Sequence, residues 1–574
     1  MTAFRVCLAQ INPILGDFSG NTKMIADAVQ ESARNGAQLI AFPEMALTGY
    51  PIEDLATDPD FLATTRRELE GLASRLETAG LGDRIVVVGF PAGPFPADRR
   101  PPASPTAIAE NRAAVLQHGR VVGEYTKHHL PNYAVFDEFR NFVPGDDPVV
   151  LQAGPLSVGL MICEDLWRPA GPLDHLSGCD LVLVINASPY ATGKVQDRLE
   201  LIRSRVHEVG APIAYVNLVG GQDDLVFDGA SMFVDATGEV QSRASSFQTE
   251  LLFVDVPTGQ QASDRHPAAR VVTVDLPAAP ATPCDRRMAP SPSPLEETWM
   301  ALVTGLRDYV KKNGFPGVVL GLSGGIDSSL VASLAVDALG PDRVWGVLMP
   351  SRYSSDHSLD DAHDLVTRLG IHSRTEPITD LVPPFEHQLH LDGVAAENLQ
   401  ARLRGVILMA ISNSEGQLVL TTGNKSELAV GYSTIYGDAV GGFNPIKDVV
   451  KTLVWDLCRW RNARATETGQ TPPIPEHVIV KPPSAELRPD QTDQDSLPPY
   501  TELDDIIHRY VELREGPDDI IAAGHSLKTV SRIIALIDRA EWKRRQAAPG
   551  TRITELAFGR DRRIPITNRR PHAR

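Results

Sequence analysis

The chain is poor in cysteine, with five in 574 residues, at positions 7, 163, 179, 284 and 458. An odd, widely spaced set without a CxxC pair does not make a disulfide framework and argues against a structural zinc site. It fits a reducing cytoplasm. Long apolar runs are missing too. No stretch approaches the roughly 20 apolar residues that a membrane-spanning helix needs. Met1–Gln10 lacks the basic-then-apolar order of a signal peptide. Nor is there an excess of positive charge: the formal net charge is -18, and the basic runs Lys543–Arg545 and Arg560–Arg563 are short. Neither nucleic acid nor a membrane is therefore expected as a partner.

What is present is enough chain for two large domains, with 42% hydrophobic residues to fill their cores. Over the first part, short β-rich runs alternate with helical stretches, which predicts layered α/β structure. The strand candidates are Phe4–Gln10, Leu39–Pro43, Arg84–Phe90, Ala113–Leu116, Ser157–Ile162, Leu181–Asn186, Ile213–Asn217 and Ser231–Asp235. Around Pro257–Pro294 the composition turns to Pro, Ala, Ser and Asp, which reads as a linker. The domains are accordingly placed at 1–260 and 295–574, with 261–294 between them. In the second domain, helical spacing over Glu296–Lys312 leads to a strand at Val318–Leu322, a helix at Ser328–Leu339 and a strand at Val344–Met349. That is a βαβ unit and so a parallel sheet. Residues 470–500, rich in Pro and polar groups, read as irregular.

The strand at Val318 runs into Ser323-Gly324-Gly325-Ile326-Asp327-Ser328-Ser329 at the start of a helix. Glycines let a backbone approach an anion, and a helix start offers unpaired N–H groups and a positive dipole. Asp327 would repel a phosphate unless Mg²⁺ lay between them. The lysine of a Walker loop is absent, so γ-phosphate transfer is not implied. This SGGIDS loop resembles that of the ATP-pyrophosphatase superfamily, whose members adenylate a substrate and displace AMP with a nucleophile. Four later segments narrow the resemblance to the NAD synthetases: Glu397–Arg404 (ENLQARLR), Thr421–Glu427 (TTGNKSE), Gly431–Asp438 (GYSTIYGD) and Lys481–Leu487 (KPPSAEL).

In the first domain, Glu44 ends a strand, Lys127 follows a strand pair and Cys163 ends a further strand. Acyl transfer needs a nucleophile, a base and cationic help for an oxyanion, which Cys163, Glu44 and Lys127 can supply. An ammonium near the thiol is expected to favour thiolate. Cys7, in mid-strand, and Cys179, in a loop without an activating neighbour, are weaker candidates. The Glu–Lys–Cys set resembles the nitrilase superfamily over about residues 3–256, including Ala9–Pro13 and Asn186–Pro189. The run Lys127–Glu138 resembles the glutaminase domains of NAD synthetases.

The resemblance implies a nitrilase-like four-layer αββα sandwich followed by a Rossmann-like parallel-sheet domain. The activity it implies is ATP-dependent amidation of deamido-NAD with ammonia from glutamine. Tyr133, Ser188 and Lys194 would bind glutamine, Lys194 standing where some members have Arg. Glu138 and Glu164 would support the site. Gly321, Leu322, Ser323, Gly324, Gly325, Ile326, Asp327, Ser328, Thr422, Lys451 and Ser484 would hold ATP. Asn398, Arg402, Glu427, Tyr432, Ser433, Thr434, Ile435 and Lys543 would hold deamido-NAD, and Asp327 and Glu427 would share Mg²⁺. ATP and glutamine are co-substrates in this reading, and the assembly is a homo-oligomer built on a synthetase-domain dimer. The rivals are another glutamine- or ammonia-dependent adenylating ligase and a nucleotide-binding regulatory protein. An asparagine synthetase glutaminase needs Cys at position 2, where this chain has Thr2.

Overall fold

The computed structural model describes residues 3–95, 107–257, 269–483, 487–488, 493–495 and 497–568. Its contacts divide the chain into two units. The first is Met1–Gly220 with Phe227–Pro292, and the second is Gly221–Val226 with Ser293–Arg574.

The first unit contains two mixed sheets. One has six strands in the order Glu250–Pro257, Ala3–Gln10, Leu39–Ala41, Ile85–Ala92, Glu110–Gln117 and Arg120–Thr126. The other has seven: Val240–Arg243, Met232–Val234, Ile213–Asn217, Leu181–Asn186, Leu156–Ile162, Val149–Ala153 and Arg270–Val274. Successive side chains of a strand point to opposite faces, and here both faces are covered. Val6 and Leu8 enter the core shared with Leu160, Ile162, Leu183 and Ile185 of the second sheet. Their neighbours Cys7 and Ala9 face outward, onto Ile25 and Val29 of helix Phe18–Arg34 and Leu69 and Leu72 of helix Pro59–Thr78. On the far side, Val182 and Val184 meet Ile202 and Val206 of helix Lys194–Val209. The layers are thus αββα. All eight strand candidates fall on strands, with small shifts at their ends.

The segment 261–294 is more than a linker. Arg270–Val274 is a strand, parallel to Val149–Ala153 from Arg270↔Val149 to Val274↔Ala153. Farther on, Met288 bridges Arg243. Prolines and charges flank the strand, and its short alternating run is weak as a sequence signal.

The second unit is built on four parallel strands in the order His372–Thr375, Val344–Leu348, Val318–Gly321 and Leu418–Val419. The chain leaves Val318–Gly321 toward one edge and returns on its other side with Leu418–Val419. A crevice forms beyond the carboxyl ends of strands at such a reversal. Helix Ile326–Leu339 buries residues on nearly every side, as its apolar sequence requires. A further helical core joins Leu503, Ile506 and Ile507 to Val530, Ile533, Ile534 and Ile537, and to Ala429 and Val430. Within 470–500, Glu476–Val480 is a helical turn. Residues 484–486, 489–492 and 496 lie outside the described residues.

The new strand gives a test of packing. Gly123 lies against Val272, and a Cβ at Gly123 would come within 2.6 Å of Val272 Cγ1. Gly123→Ala should destabilise the first unit by about 1–3 kcal/mol. Gly123→Ala/Val272→Ala should recover part of that loss. Denaturant unfolding of both variants checks it.

Candidate active sites

In the first unit the chain turns out of strand Leu39–Ala41 and places Glu44 completely out of water. The Asn111 amide and the Lys127 ammonium each donate to Glu44 Oε1 at 2.7 Å. The Ala187 N–H donates to Oε2 at 2.9 Å. Lys127 also donates to both oxygens of Glu138, at 2.8 and 3.0 Å, and Tyr50 Oη reaches Glu138 Oε1 at 2.9 Å. Burial alone would lower the Lys127 pKa, but the charges of Glu138 and Glu44 raise it well above its usual value. Burial, opposed by Lys127 and aided by Glu44, lifts the Glu138 carboxyl to about 7.

Cys163 follows strand Leu156–Ile162 in a sharp turn, with φ 46° and ψ -96°. A non-glycine residue held there stores roughly 1–3 kcal/mol of backbone strain. Burial and the Glu44 charge raise the thiol pKa well above its usual value, against the pull of Lys127. The thiolate expected from the sequence is corrected here: burial first, and then the Glu44 charge, outweigh the lysine at the sulfur. Such a thiol needs a base during attack, and a carboxylate is its neighbour. Asp165 aligns the parts. It accepts from the N–H groups of Ile162, His128 and His129 and from Tyr125 Oη, at 3.1, 3.1, 2.8 and 2.7 Å. The strand end before Cys163 is thereby tied to the turn after Lys127. Cys7 packs in the core, where burial pushes its thiol up to about 12.

Tyr133, half exposed, donates to Glu164 Oε2 at 2.8 Å, and Arg168 takes Glu164 Oε1 at 2.8 Å. Ser188 is buried directly after Ala187. The Lys194 ammonium lies 4.6 Å from the centre of the Trp167 ring. Sequence reasoning assigned no role to Asn111, Tyr50, Asp165 or the N–H of Ala187: Asp165 and Ala187 lie in runs that it singled out, but their partners are far away in the chain.

In the second unit the Gly-rich loop leaves Val318–Gly321 at the strand reversal. Gly324 has φ 73°, and a Cβ there would lie 2.1 Å from the Ser358 carbonyl oxygen, so the close approach requires glycine. Ser323 and Ser328 are hydrogen-bonded at 3.2 Å, and the Gly325 N–H donates to Ser323 Oγ at 3.2 Å. Leu322 N–H pairs with the Val347 carbonyl at 2.9 Å, fixing the loop to the sheet.

Asp327 accepts from the Asn424 amide at 2.9 Å and from the Lys451 ammonium. Lys451 is 1% exposed and lies 3.6 Å from Glu427. Burial and the charge of Asp327, partly offset by Lys451, lift the Glu427 carboxyl to about 8. Asn424 and Glu427 cap one another across a helical turn, with Glu427 N–H donating to Asn424 Oδ1 at 3.0 Å. Thr422 is partly buried just ahead of this turn.

Nearby, Thr434 Oγ1 donates to Asn398 Oδ1 at 2.8 Å, and Arg402 Nε to the Ile435 carbonyl at 3.3 Å. Lys543 donates to the carbonyls of Gly431 and Ser433 at 2.9 and 2.8 Å. Burial lowers its pKa, and the nearby Arg402 adds to that against the opposing Asp438. The structure thus brings Asn398, Arg402 and Lys543 to one segment, residues 431–435. Tyr432 and Ser433 lie partly buried within it. Ser484 lies outside the described residues.

Comparison with known proteins agrees with both halves. The carbon-nitrogen hydrolase family model matches residues 5–265 and the NAD synthase model residues 298–547. The chain is 44% identical to the glutamine-dependent NAD(+) synthetase of Thermotoga maritima, over 99% of each chain. It is 45% identical to that of Rhodobacter capsulatus, over 99% of this chain and 98% of the relative. The chain belongs to the glutamine-dependent NAD(+) synthetase family. A solved structure of such a synthetase from Acinetobacter baumannii, in complex with ADP, is 40% identical, with a TM-score of 0.73 over 99% of both chains.

Of the residues by which this chain resembles its family, Lys425 has a structural place. It is fully buried and pairs with Asp448 at 2.7 Å and Glu512 at 2.6 Å. Asp448 also accepts from Ile553 N–H, Thr554 N–H and Thr554 Oγ1, at 2.9, 2.8 and 2.7 Å. Burial alone would raise the Asp448 pKa, but Lys425 and these donors hold it below the usual carboxylate range.

Lys425→Met leaves that carboxylate buried without its cation and should cost roughly 3–5 kcal/mol. A depressed native pKa contributes stability above the unfolded-state pKa and loses it as pH falls through the native one. The stability difference between wild type and Lys425→Met should therefore be largest near neutral pH and shrink below about pH 4. Denaturant unfolding across pH checks both the size and the slope.

Proposed function

We propose that this chain makes NAD(+) from deamido-NAD(+), ATP and glutamine, releasing AMP, pyrophosphate and glutamate. The observation that carries this reading is the pairing, in one chain alike over full length to synthetases of that name, of Cys163 beside Glu44 and Lys127 with a glycine loop at the strand reversal.

In the glutaminase half, Cys163 Sγ attacks the side-chain carboxamide carbon of glutamine. Glu44 takes the thiol proton and passes it to the departing nitrogen. The Lys127 ammonium supports the oxyanion, and its two carboxylates keep it charged and in place. Ammonia leaves, a thioester remains, and water returns glutamate and the free thiol. Tyr133, Ser188 and Lys194 hold the amino-acid end.

In the synthetase half, a carboxylate oxygen of deamido-NAD(+) forms a bond to the α-phosphorus of ATP while the bond to the β-phosphate oxygen breaks. Ammonia then attacks the acyl carbon and AMP leaves. Backbone N–H groups of the loop Ser323–Ser328, with Thr422, Lys451 and Ser484, hold the phosphates. Asn398, Arg402, Tyr432–Ile435 and Lys543 hold deamido-NAD(+). Asp327 and Glu427 fit a magnesium ion, because both already face one cation, Lys451, and burial together with the charge of Asp327 lifts the Glu427 carboxyl to about 8, a charge deficit that a metal ion would relieve. Bound there with ATP, magnesium supplies charge neutralisation of the phosphates.

The reading includes a homo-oligomer built on a dimer of synthetase halves. Helix Gly393–Glu415 leaves Val394, Val406 and Met409 exposed, and helix Val382–Leu389 leaves Phe385 and Leu389 exposed. A second copy is the occupant that suits them. Among the described residues, no helix is long and apolar enough to cross a membrane, and we place the enzyme in the cytoplasm.

Cys163→Ala should lower glutamine-driven NAD(+) formation by about a thousandfold or more. Ammonium-driven formation should stay within about twofold of wild type, because the synthetase half is untouched. A wild type that makes no NAD(+) from either nitrogen source overturns the reading. A variant that still uses glutamine overturns the choice of nucleophile.

A further inference from the structure

A carboxylate offers about two hydrogen-bonding sites on each oxygen. In Glu44, Asn111 and Lys127 fill both sites of Oε1, at 2.7 Å each. The Ala187 N–H fills one site of Oε2 at 2.9 Å. Nothing else among the described residues donates to this carboxylate, so its open lone pair lies on Oε2.

These donors are themselves held. The Ala187 N–H precedes a turn that Arg198, paired with Asp228 at 2.7 Å, grips by the carbonyls of Ser188 and Pro189 at 3.0 Å. Lys127 is fixed a second time by both oxygens of Glu138. The main chain of Glu44 rests on Gly89, where a Cβ would come 2.7 Å from Glu44 Cα and 2.4 Å from Met45 N. The base therefore has little room to shift as a whole.

Asn111 stands apart from the other two donors. It is completely buried on strand Glu110–Gln117, and its carbonyl accepts from Lys127 N–H at 2.8 Å. Base and cation are thus both placed from this residue. Its amide oxygen finds no donor among the described residues. A buried amide with an unmet oxygen lowers stability, and a leucine of similar volume would fill the place without that loss. What the amide contributes is its bond to Glu44.

We propose that Asn111 is a positioning residue that closes Oε1 of Glu44 and so makes Oε2, the oxygen held by Ala187 N–H, the atom that takes and returns the proton of Cys163. This rests on the glutaminase reading above. As the bond from Sγ to the carboxamide carbon forms, the S–H bond breaks and its proton goes to Oε2. The same proton leaves Oε2 for the nitrogen as the carbon–nitrogen bond breaks. Without Asn111 each oxygen has an open lone pair, and the proton is divided between two atoms.

Ammonia release from glutamine by the full-length enzyme tests this, for wild type, Asn111→Leu and Asn111→Ala. Each variant should lower kcat about 10- to 100-fold, the factor that a hydrogen bond to a charged group carries. KM should stay within about threefold, because Asn111 acts through Glu44. Asn111→Leu should resist denaturant at least as well as wild type. A kcat within about threefold of wild type overturns the proposal, and so does a loss carried by KM. Should Asn111→Leu fail to fold, Asn111→Ala decides by the same split. The atom is read separately, in a crystal structure of Cys163→Ser with glutamine bound, where Asn111 is untouched. The introduced hydroxyl should donate to the oxygen held by Ala187 N–H, and donation to the oxygen held by Asn111 and Lys127 overturns the proposal. A wild type that releases no ammonia from glutamine removes the glutaminase reading itself, whereas normal wild-type hydrolysis with the wrong variant pattern removes only the role of Asn111.

Discussion

A lysine ammonium taken out of water must be met by carboxylates, and this constraint organises both halves of the molecule. Lys127, Lys425 and Lys451 are each at most 1% exposed. Each has two carboxylates: Glu44 and Glu138, Asp448 and Glu512, Asp327 and Glu427. Desolvation would discharge a lone buried lysine. One carboxylate restores its charge, and a second brings excess negative charge into a dry place. Burial, with that excess added to it, raises the proton affinity of groups nearby: it lifts the Glu138 and Glu427 carboxyls and holds the Cys163 thiol well above its usual value.

The three clusters use this charge differently. Around Lys425 the surplus is consumed by backbone and hydroxyl donors to Asp448, and the cluster is a strut. Around Lys127 the two carboxylates keep the lysine charged, and Glu44 is held as well by Asn111 and the Ala187 N–H. Around Lys451 the second carboxylate, Glu427, carries a pKa raised to about 8 by burial and the charge of Asp327. Burial is similar in all three; what differs is how many donors remain to satisfy the carboxylates.

Much of this was legible in the sequence. The eight strands read from apolar runs are real because both faces of each sheet are covered, which writes burial into consecutive residues. The loop Ser323–Ser328 was legible because glycine at position 324 answers a steric demand, the passage of the Ser358 carbonyl. Edge strands were harder. Glu250–Pro257 and Arg270–Val274 alternate burial with exposure, and a half-exposed strand of five to eight residues hardly differs in composition from a loop. The charge state of Cys163 was misread because an ammonium nearby says nothing of how many carboxylates already share it. Asn111, Asp165, Arg198 and Asp228 went unread for a related reason: their partners lie 30 to 67 residues away at least once each, and local spacing carries no trace of such pairs.

The strand Arg270–Val274 bears on how the halves could be separated. It covers the edge Val149–Ala153 of the seven-stranded sheet, and Val272 and Val274 belong to the core between the sheets. Cutting the chain near residue 265, where the hydrolase match ends, would strip that edge and leave a row of unpaired backbone groups beside an opened apolar core. Such an edge recruits any strand it meets. A glutaminase half produced alone would stay soluble only if it carried its chain past Val274, so the useful breakpoint for dissection lies beyond the last strand rather than at the limit of family likeness.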